Sequence, residues 1–339
     1  MVKREELLKE PVIDLPIKEG MKVSELIDSF AHIGGFMAKN VAEAARLFLE
    51  MIEDRDCTIF LAFTANLLAT GLRSVIAYMI KQGYVDVIVT TGGSIDHDIA
   101  RSCGGVYYHG KFQYDDSMLR ELNIHRLGNV LVPMESYGVV IEKFTLKVLD
   151  ILCKEKEKWT VSELLYKIGK YLNDENSILY QAHKRKVPIF SPGVVDSAFG
   201  TNLMVFRDLQ RTRSKDFVID VVSDLKKIAN IVYSSKKLGA LILGGGISKH
   251  HVIWWSQFKD GLDYAIYITT AVEWDGSLSG AQPREAISWK KIKPTGKHVV
   301  VYGDATLILP LIVLYVVDKL AMRGYICREN SPAIKGVLE

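Results

Sequence analysis

The chain predicts an α/β fold: a mainly parallel, doubly wound sheet with helices on both faces, preceded by a helical N-terminal extension. Three observations carry that expectation. Short apolar runs rich in β-branched residues recur at 58–63, 85–91, 130–132, 187–190, 217–222, 240–243, 264–270 and 299–302. Between most of them lie segments whose apolar residues return every three or four positions, at 66–82, 138–154, 161–172, 225–235 and 306–322. That alternation of two periods is what a parallel sheet with crossover helices requires. Polar and glycine residues then follow the strand-like runs, at Asn66, Thr91-Gly92-Gly93, Asp196, Gly244-Gly245-Gly246, Thr270 with Asp275, and Asp304. Ligands bind at the carboxyl ends of such strands, so these distant residues are expected to share one crevice of a Rossmann-like fold.

Taken in order, residues 1–54 form the extension, 55–330 the main domain and 331–339 a C-terminal tail. Pro11 and Pro16 give an extended start, and an amphipathic helical stretch at about 23–51 is expected to pack on the sheet or on a neighbouring subunit. The run 154–158 alternates lysine and glutamate and reads as a solvated helix end. Gly244-Gly245-Gly246 follows a strand and precedes a helix, so its backbone amides can approach a pyrophosphate. It departs from both common phosphate-binding glycine patterns, and a tight strand-to-helix turn explains it equally well. Thr91-Gly92-Gly93-Ser94 is of the same kind, and two such turns in one chain favour a dinucleotide. Asp196 and Asp304 are either ribose-hydroxyl acceptors or helix caps. The apolar run 307–317 is short for a bilayer and contains Pro310, so it reads as a buried helix.

Composition narrows the function classes. With 48% hydrophobic and 24% charged residues the chain is an ordinary globular protein, and a dispersed net charge of +3 lacks the basic stripe that nucleic acid demands. Cys57, Cys103, Cys153 and Cys327 stand far apart, which suggests neither a disulfide framework nor a zinc site. Reduced thiols and a cytoplasmic location are the expectation. Lys3, Arg4, Glu5 and Glu6, with no apolar core after them, do not read as a signal peptide. No membrane partner and no metal are expected; the expected ligand is small.

The most informative segment is Trp274-Asp275-Gly276-Ser277-Leu278-Ser279-Gly280, followed by Glu285 and by Ser288-Trp289-Lys290-Lys291. A lysine with the usual pKa of about 10.4 is a poor nucleophile at neutral pH unless its charged form is penalised. Trp289 can remove water from Lys291, and the Lys290 cation beside it repels a second charge. Lys291 is therefore the candidate nucleophile, against the plainer reading of a solvated Lys-Lys corner. His250-His251 falls where a helix should begin, and an imidazole there can move protons between amine and water.

This segment resembles the active site of the deoxyhypusine synthases, which carry Asp-Gly-Ser, Ser-Gly, Glu and Ser-Trp-x-Lys at this spacing; the likeness extends to Asn66-Leu67, Thr90-Thr91-Gly92-Gly93, Asp196, Gly244 to His251 and Asp304-Ala305. The resemblance implies an NAD-dependent transferase. It would place NAD on Asn66, Thr91, Gly92, Gly93, Asp196, Gly245, Thr270, Ala271, Asp275, Asp304 and Ala305. Lys291 and His250 would be catalytic, with Glu285, Trp289, Asp96, His97, Gly276, Ser277 and Leu278 around the amine. The implied reaction moves the aminobutyl group of spermidine, through an imine on Lys291, to a lysine of the precursor of the hypusine-carrying translation initiation factor. The resemblance also implies a homotetramer whose cofactor site and catalytic lysine come from adjoining subunits.

The sequence departs from the family mainly around the amine. Thr201 stands where many members have Asp, Trp254 where Asn is usual, Leu278 where eukaryotic members have Asp, and His97 where Glu is common. Ala65 replaces a usual Ser, Gly92 a usual Ala and Lys290 a usual Gly. Fewer carboxylates weaken the hold on a triply charged amine. Two alternatives therefore stand beside spermidine transfer: an aminobutyl transferase with another donor or acceptor, such as agmatine or a small diamine, and an NAD-binding paralogue without transfer activity.

Overall fold

The apolar run Cys57–Phe63 is strand β1, and all seven of its residues are buried. A strand with no exposed face needs cover on both sides, and β1 is the centre of the sheet for that reason. A computed structural model describes residues 4–212, 216–325 and 327–338. In it, β1, β2 (Val87–Val89), β3 (Ile189–Phe190), β4 (Lys237–Leu243), β5 (Leu262–Thr269) and β6 (Ile292–Tyr302) form one parallel sheet in the order β3-β2-β1-β4-β5-β6. Leu61 of β1 faces Ile88 on one side and Leu241 on the other. Strand order therefore reverses at β1, which puts the ligand-binding crevice of this topology above its carboxyl end.

Ten helices matter for the site: α1 (Val23–Ile33), α2 (Phe36–Glu53), α3 (Leu72–Lys81), α4 (Gly92–Ser102), α5 (Gly138–Leu152), α6 (Ala198–Thr212), α7 (Ser223–Ser234), α8 (Gly246–Ser256), α9 (Pro283–Ser288) and α10 (Ala305–Met322). Side chains alternate across the strands, and so does the cover. Ile59, Leu61 and Phe63 pack into the core formed with α2, α3 and α10, whereas Phe60 and Ala62 face Ile228 of α7 and Val252 of α8.

Several expectations change in detail. The stretch expected as one helix at 23–51 is two, because Gly34 and Gly35 hold φ of +61° and +80° and break it. Residues 66–82 likewise divide into a 3-10 turn, Ala65–Ala69, and α3. The runs at 130–132 and 217–222 leave the main sheet. The first joins an antiparallel sheet of Tyr108–His109, Val130–Pro133 and Ile124–Leu127, and the second pairs Val218–Ile219 with Lys158–Trp159. Helix α10 is 18 residues long, apolar enough by length and composition to cross a membrane. It is not wholly buried: Ile308, Leu309, Ile312 and Val316 enter the core, while Leu307, Leu314 and Met322 are exposed.

The C-terminal residues expected as a tail are bound to the sheet. The Arg328 guanidinium donates to Asp86 at 2.9 Å, and the Ser331 amide donates to the same carboxylate at 2.7 Å. The Ser331 hydroxyl then meets that of Thr58 at 2.7 Å. This staple closes the amino edge of the sheet, opposite the expected crevice.

Candidate active site

At the carboxyl edge, helices α4 and α8 begin on either side of β1, directly after β2 and β4. Neither N-cap, Thr91 or Gly245, uses a side chain to satisfy the first-turn amides. Two positive helix ends with free amides flanking the switch point fit a pyrophosphate. The Thr90 hydroxyl donates to the Phe63 carbonyl at 2.9 Å and meets Ser94 at 2.6 Å, so the ends of β1 and β2 are locked together under the crevice. Asn66 accepts from the Thr64 hydroxyl at 2.6 Å. Thr91, Gly92, Gly93, Gly245, Thr270, Ala271, Asp304 and Ala305 thus all lie along one edge, at the ends of β2, β4, β5 and β6. Asp196 is exposed just before α6. Asp304 caps α10, accepting from the Thr306 amide and hydroxyl, each at 2.8 Å.

The motif segment follows β5 as a loop whose glycines are structural. Gly276 has φ +71°, and the Asp275 carboxylate accepts from the Ser277 amide at 2.7 Å. A Cβ on Gly280 would lie 2.0 Å from the Val272 carbonyl oxygen, and one on Gly245 would lie 2.1 Å from the Ser279 hydroxyl. The loop is therefore pressed onto the first turn of α8. Leu278 is half-buried against the α7–α8 core, and the exposed Asp275 has its pKa lowered by its bonds to Ser277.

Helix α9 leads from this loop to Lys291. The Lys291 amide donates to Ala286 at 2.9 Å, and its carbonyl accepts from the Leu262 amide at 3.0 Å and the Ser256 hydroxyl at 2.9 Å. With its backbone held at three points, the side chain enters an aromatic corner. Its Nζ lies 5.2 Å from the centre of the Trp289 ring and 5.9 Å from that of Trp254. His250 stacks on Trp254, with ring centres 5.7 Å apart and planes tilted by 30°. Burial, then the Lys291 charge, lowers the His250 pKa, so the imidazole is neutral at neutral pH. Glu285 is exposed on α9, six residues before the lysine. Lys291, His250, Trp289 and the departure Trp254 are thus brought together.

Asp96 and His97 are not brought into that corner. Asp96 is buried and accepts from the amides of Ala198 at 2.9 Å and Phe199 at 2.7 Å and from the Tyr137 hydroxyl at 3.0 Å. It anchors the start of α6. His97 donates to or accepts from the Tyr107 hydroxyl at 2.8 Å, and burial with the Arg101 charge pushes its pKa down to about 4. Asp96 is buried and His97 half-buried on α4, which begins at the carboxyl edge of the sheet, away from the lysine corner of the same chain. His251 packs edge-on to Trp255, and burial, with the charge of His250, pushes its pKa down to about 4.

Sequence reasoning missed Lys249. It is 1% exposed, forms no ion pair among the described residues, and donates to the Ala281 carbonyl at 2.8 Å over the face of Tyr267. Burial pushes its pKa down to about 8, against the raising influence of Glu285. Its position beside the buried Ser248 and one turn from Val252 and Ile253 was the available signal.

The fold and this corner define a Rossmann-like α/β enzyme that presents a lysine walled by tryptophans. The sequence profile of the deoxyhypusine synthase family matches residues 25–316. A protein of Sulfurisphaera tokodaii named probable deoxyhypusine synthase is 56% identical over 311 residues, 92% of this chain and 98% of that protein. Its namesake from Sulfolobus acidocaldarius is 51% identical over the same shares of the two chains. A crystal structure from Entamoeba histolytica, assigned as a deoxyhypusine synthase, superimposes with a TM-score of 0.59 at 26% identity over 88% of this chain and 94% of that one. The chain belongs to the deoxyhypusine synthase family, and it is accordingly a transferase of hypusine biosynthesis.

Proposed function

We propose that this chain transfers the 4-aminobutyl group of spermidine, by way of Lys291, to a lysine of the precursor of the hypusine-carrying translation initiation factor. The observation that carries the assignment is the aromatic corner in which Lys291 stands beside a neutral His250. Thr91, Gly93, Gly245 and their neighbours at the carboxyl edge would hold NAD, which would supply the hydride chemistry of the transfer. The neutral amine of Lys291 attacks the carbon of the oxidised donor's C=N bond. A proton passes to the departing nitrogen, 1,3-diaminopropane leaves, and Lys291 holds the aminobutyl group as an imine. The acceptor lysine then displaces Lys291 by the same steps reversed.

His250 is placed to take the proton that Lys291 loses on attack. Trp254 and Trp289 exclude the water that would hydrolyse the imine. Glu285, exposed six residues upstream, would receive the donor's far ammonium. Lys291 follows α9 at the amino end of β6, whereas the cofactor residues line the carboxyl edge. Around the lysine, Trp254, Trp289 and Phe258, which packs on Trp254, are all exposed. A second copy of the chain, bringing its own carboxyl edge against this flank, would complete each site, in keeping with a homotetramer.

Incubation with NAD and spermidine, borohydride reduction and peptide mass analysis test the proposal. An aminobutyl adduct on Lys291 is expected, together with released diaminopropane, and Lys291→Ala should lower turnover by about a thousandfold or more. Diaminopropane release without an adduct on Lys291 would overturn the assigned nucleophile. An adduct formed with agmatine and not with spermidine would overturn the donor.

A further inference from the structure

Among the buried charged groups, Lys249 has the least structural justification. An ammonium this deeply buried is costly unless a carboxylate pairs with it, and a methionine would fill the same volume without that cost. Its one hydrogen-bond acceptor is the Ala281 carbonyl, at 2.8 Å. Its Nζ sits 4.1 Å from the centre of the Tyr267 ring on β5, whose own buried hydroxyl has no partner among the described residues. Glu285 on α9 is the carboxylate whose charge reaches it.

Geometry shows what that single bond joins. Ala281 ends the loop that is pressed onto the start of α8 through Gly245 and Ser279. Directly after Ala281, Gln282 caps α9, which ends beside Trp289 and Lys291. Lys249 lies on α8 next to His250 and little more than a turn before Trp254. We propose that Lys249 is a positioning residue that clamps residues 277–282 to α8, fixing Lys291 and Glu285 relative to His250 and Trp254. The clamp resolves an otherwise unexplained buried charge, because the two elements it joins each carry half of the lysine corner. Its catalytic consequence rests on the transfer reaction proposed above; the clamp itself does not.

Full-length Lys249→Met and Lys249→Arg, each with NAD bound, test this by hydrogen exchange and by steady-state kinetics. In the methionine variant, amides at 277–282 should exchange about tenfold faster or more, since one charge-assisted hydrogen bond is gone, while the sheet stays protected. Turnover should fall at least as far with the KM for the amine little changed, and arginine should restore part of both. Unchanged exchange at 277–282 in a folded methionine variant overturns the clamp. So does a loss of protection spread evenly over the molecule. Should that variant not fold, Lys249→Gln, too short to span the same gap, takes its place: amides at 277–282 should exchange faster than in the wild type, and unchanged exchange there overturns the clamp. If the wild type forms no adduct on Lys291, the transfer reading fails while the exchange comparison still stands.

Discussion

Lys290 holds φ at +56° immediately before the proposed nucleophile. The left-handed region crowds a Cβ against the backbone at a cost of roughly 1–2 kcal/mol, and glycine avoids the crowding while giving back about 0.5–1 kcal/mol in entropy. Lys290→Gly should therefore raise stability by about 0.5 kcal/mol, and Lys290→Val should lower it. Urea midpoints measure both, and a glycine variant weaker than wild type would contradict the strain. The aromatic wall beside Lys291 was legible from Trp289 two residues before it, whereas Trp254 on α8 joins it only through the fold. Lys249 was not legible, because a lysine before two histidines reads as a solvated helix start and only the fold closes Tyr267 and Ala281 around it. Its pKa, near 8 in the native protein against 10.5 ordinarily, means the unfolded chain binds more protons between those values. Stability from this group therefore rises with pH across that window, by roughly 3 kcal/mol in all. Lys249→Met should be the more stable protein at pH 7 and should lose that advantage by about pH 10. Parallel denaturation curves at the two pH values that keep a constant difference would refute the linkage.

At the scale of elements, Asp96 shows how a residue next to a ligand-binding turn becomes part of the scaffold. Three donors converge on its carboxylate, two of them the first amides of α6. Asn in its place would turn an amide NH₂ toward one of them and should destabilise the fold by about 2 kcal/mol, measurable as a lower urea midpoint. A smaller loss, with the amine KM raised instead, would return Asp96 to the substrate. The sequence could not separate these roles, because α4 carries its acids on a face that only α6 and Tyr137 reveal as buried. Element type was legible where period was strong, as in β1 and α10. Boundaries were lost where glycine interrupts a continuing apolar period, at Gly34-Gly35, and where a strand is only two residues long, as in Val218–Ile219. The antiparallel hairpin at 124–133 was missed for a related reason. Its turn holds Gly128 at φ +59°, yet the short apolar run beyond it looks like any strand of the main sheet.

For the whole molecule, the sheet order decides what one chain can do alone. The cofactor residues follow the carboxyl ends of the strands, whereas the Lys291 carbonyl accepts from Leu262, the first residue of β5. The eight residues of β5 separate the two edges by roughly 25 Å, more than a lysine side chain spans. That Thr91, Gly245, Thr270 and Asp304 share one edge was legible because each follows a strand of one parallel sheet; the displacement of the lysine was not, because sequence spacing does not say which end of the sheet Lys291 precedes. If each site is shared between two copies, two defective chains should repair each other. Asp196→Ala removes an exposed carboxylate at the proposed cofactor edge, and Lys291→Ala removes the nucleophile on the opposite flank. Each variant alone should be inactive. Dissociated together and reassembled, they should recover about a quarter of wild-type activity, because random pairing makes half the pairs mixed and each mixed pair holds one intact site of two. Recovery should track the fraction of mixed assemblies as the input ratio is varied. Failure to recover any activity, in mixtures shown by mass to contain both chains in one oligomer, would place the complete site within a single subunit and require Lys291 to reach the carboxyl edge by a movement of α9.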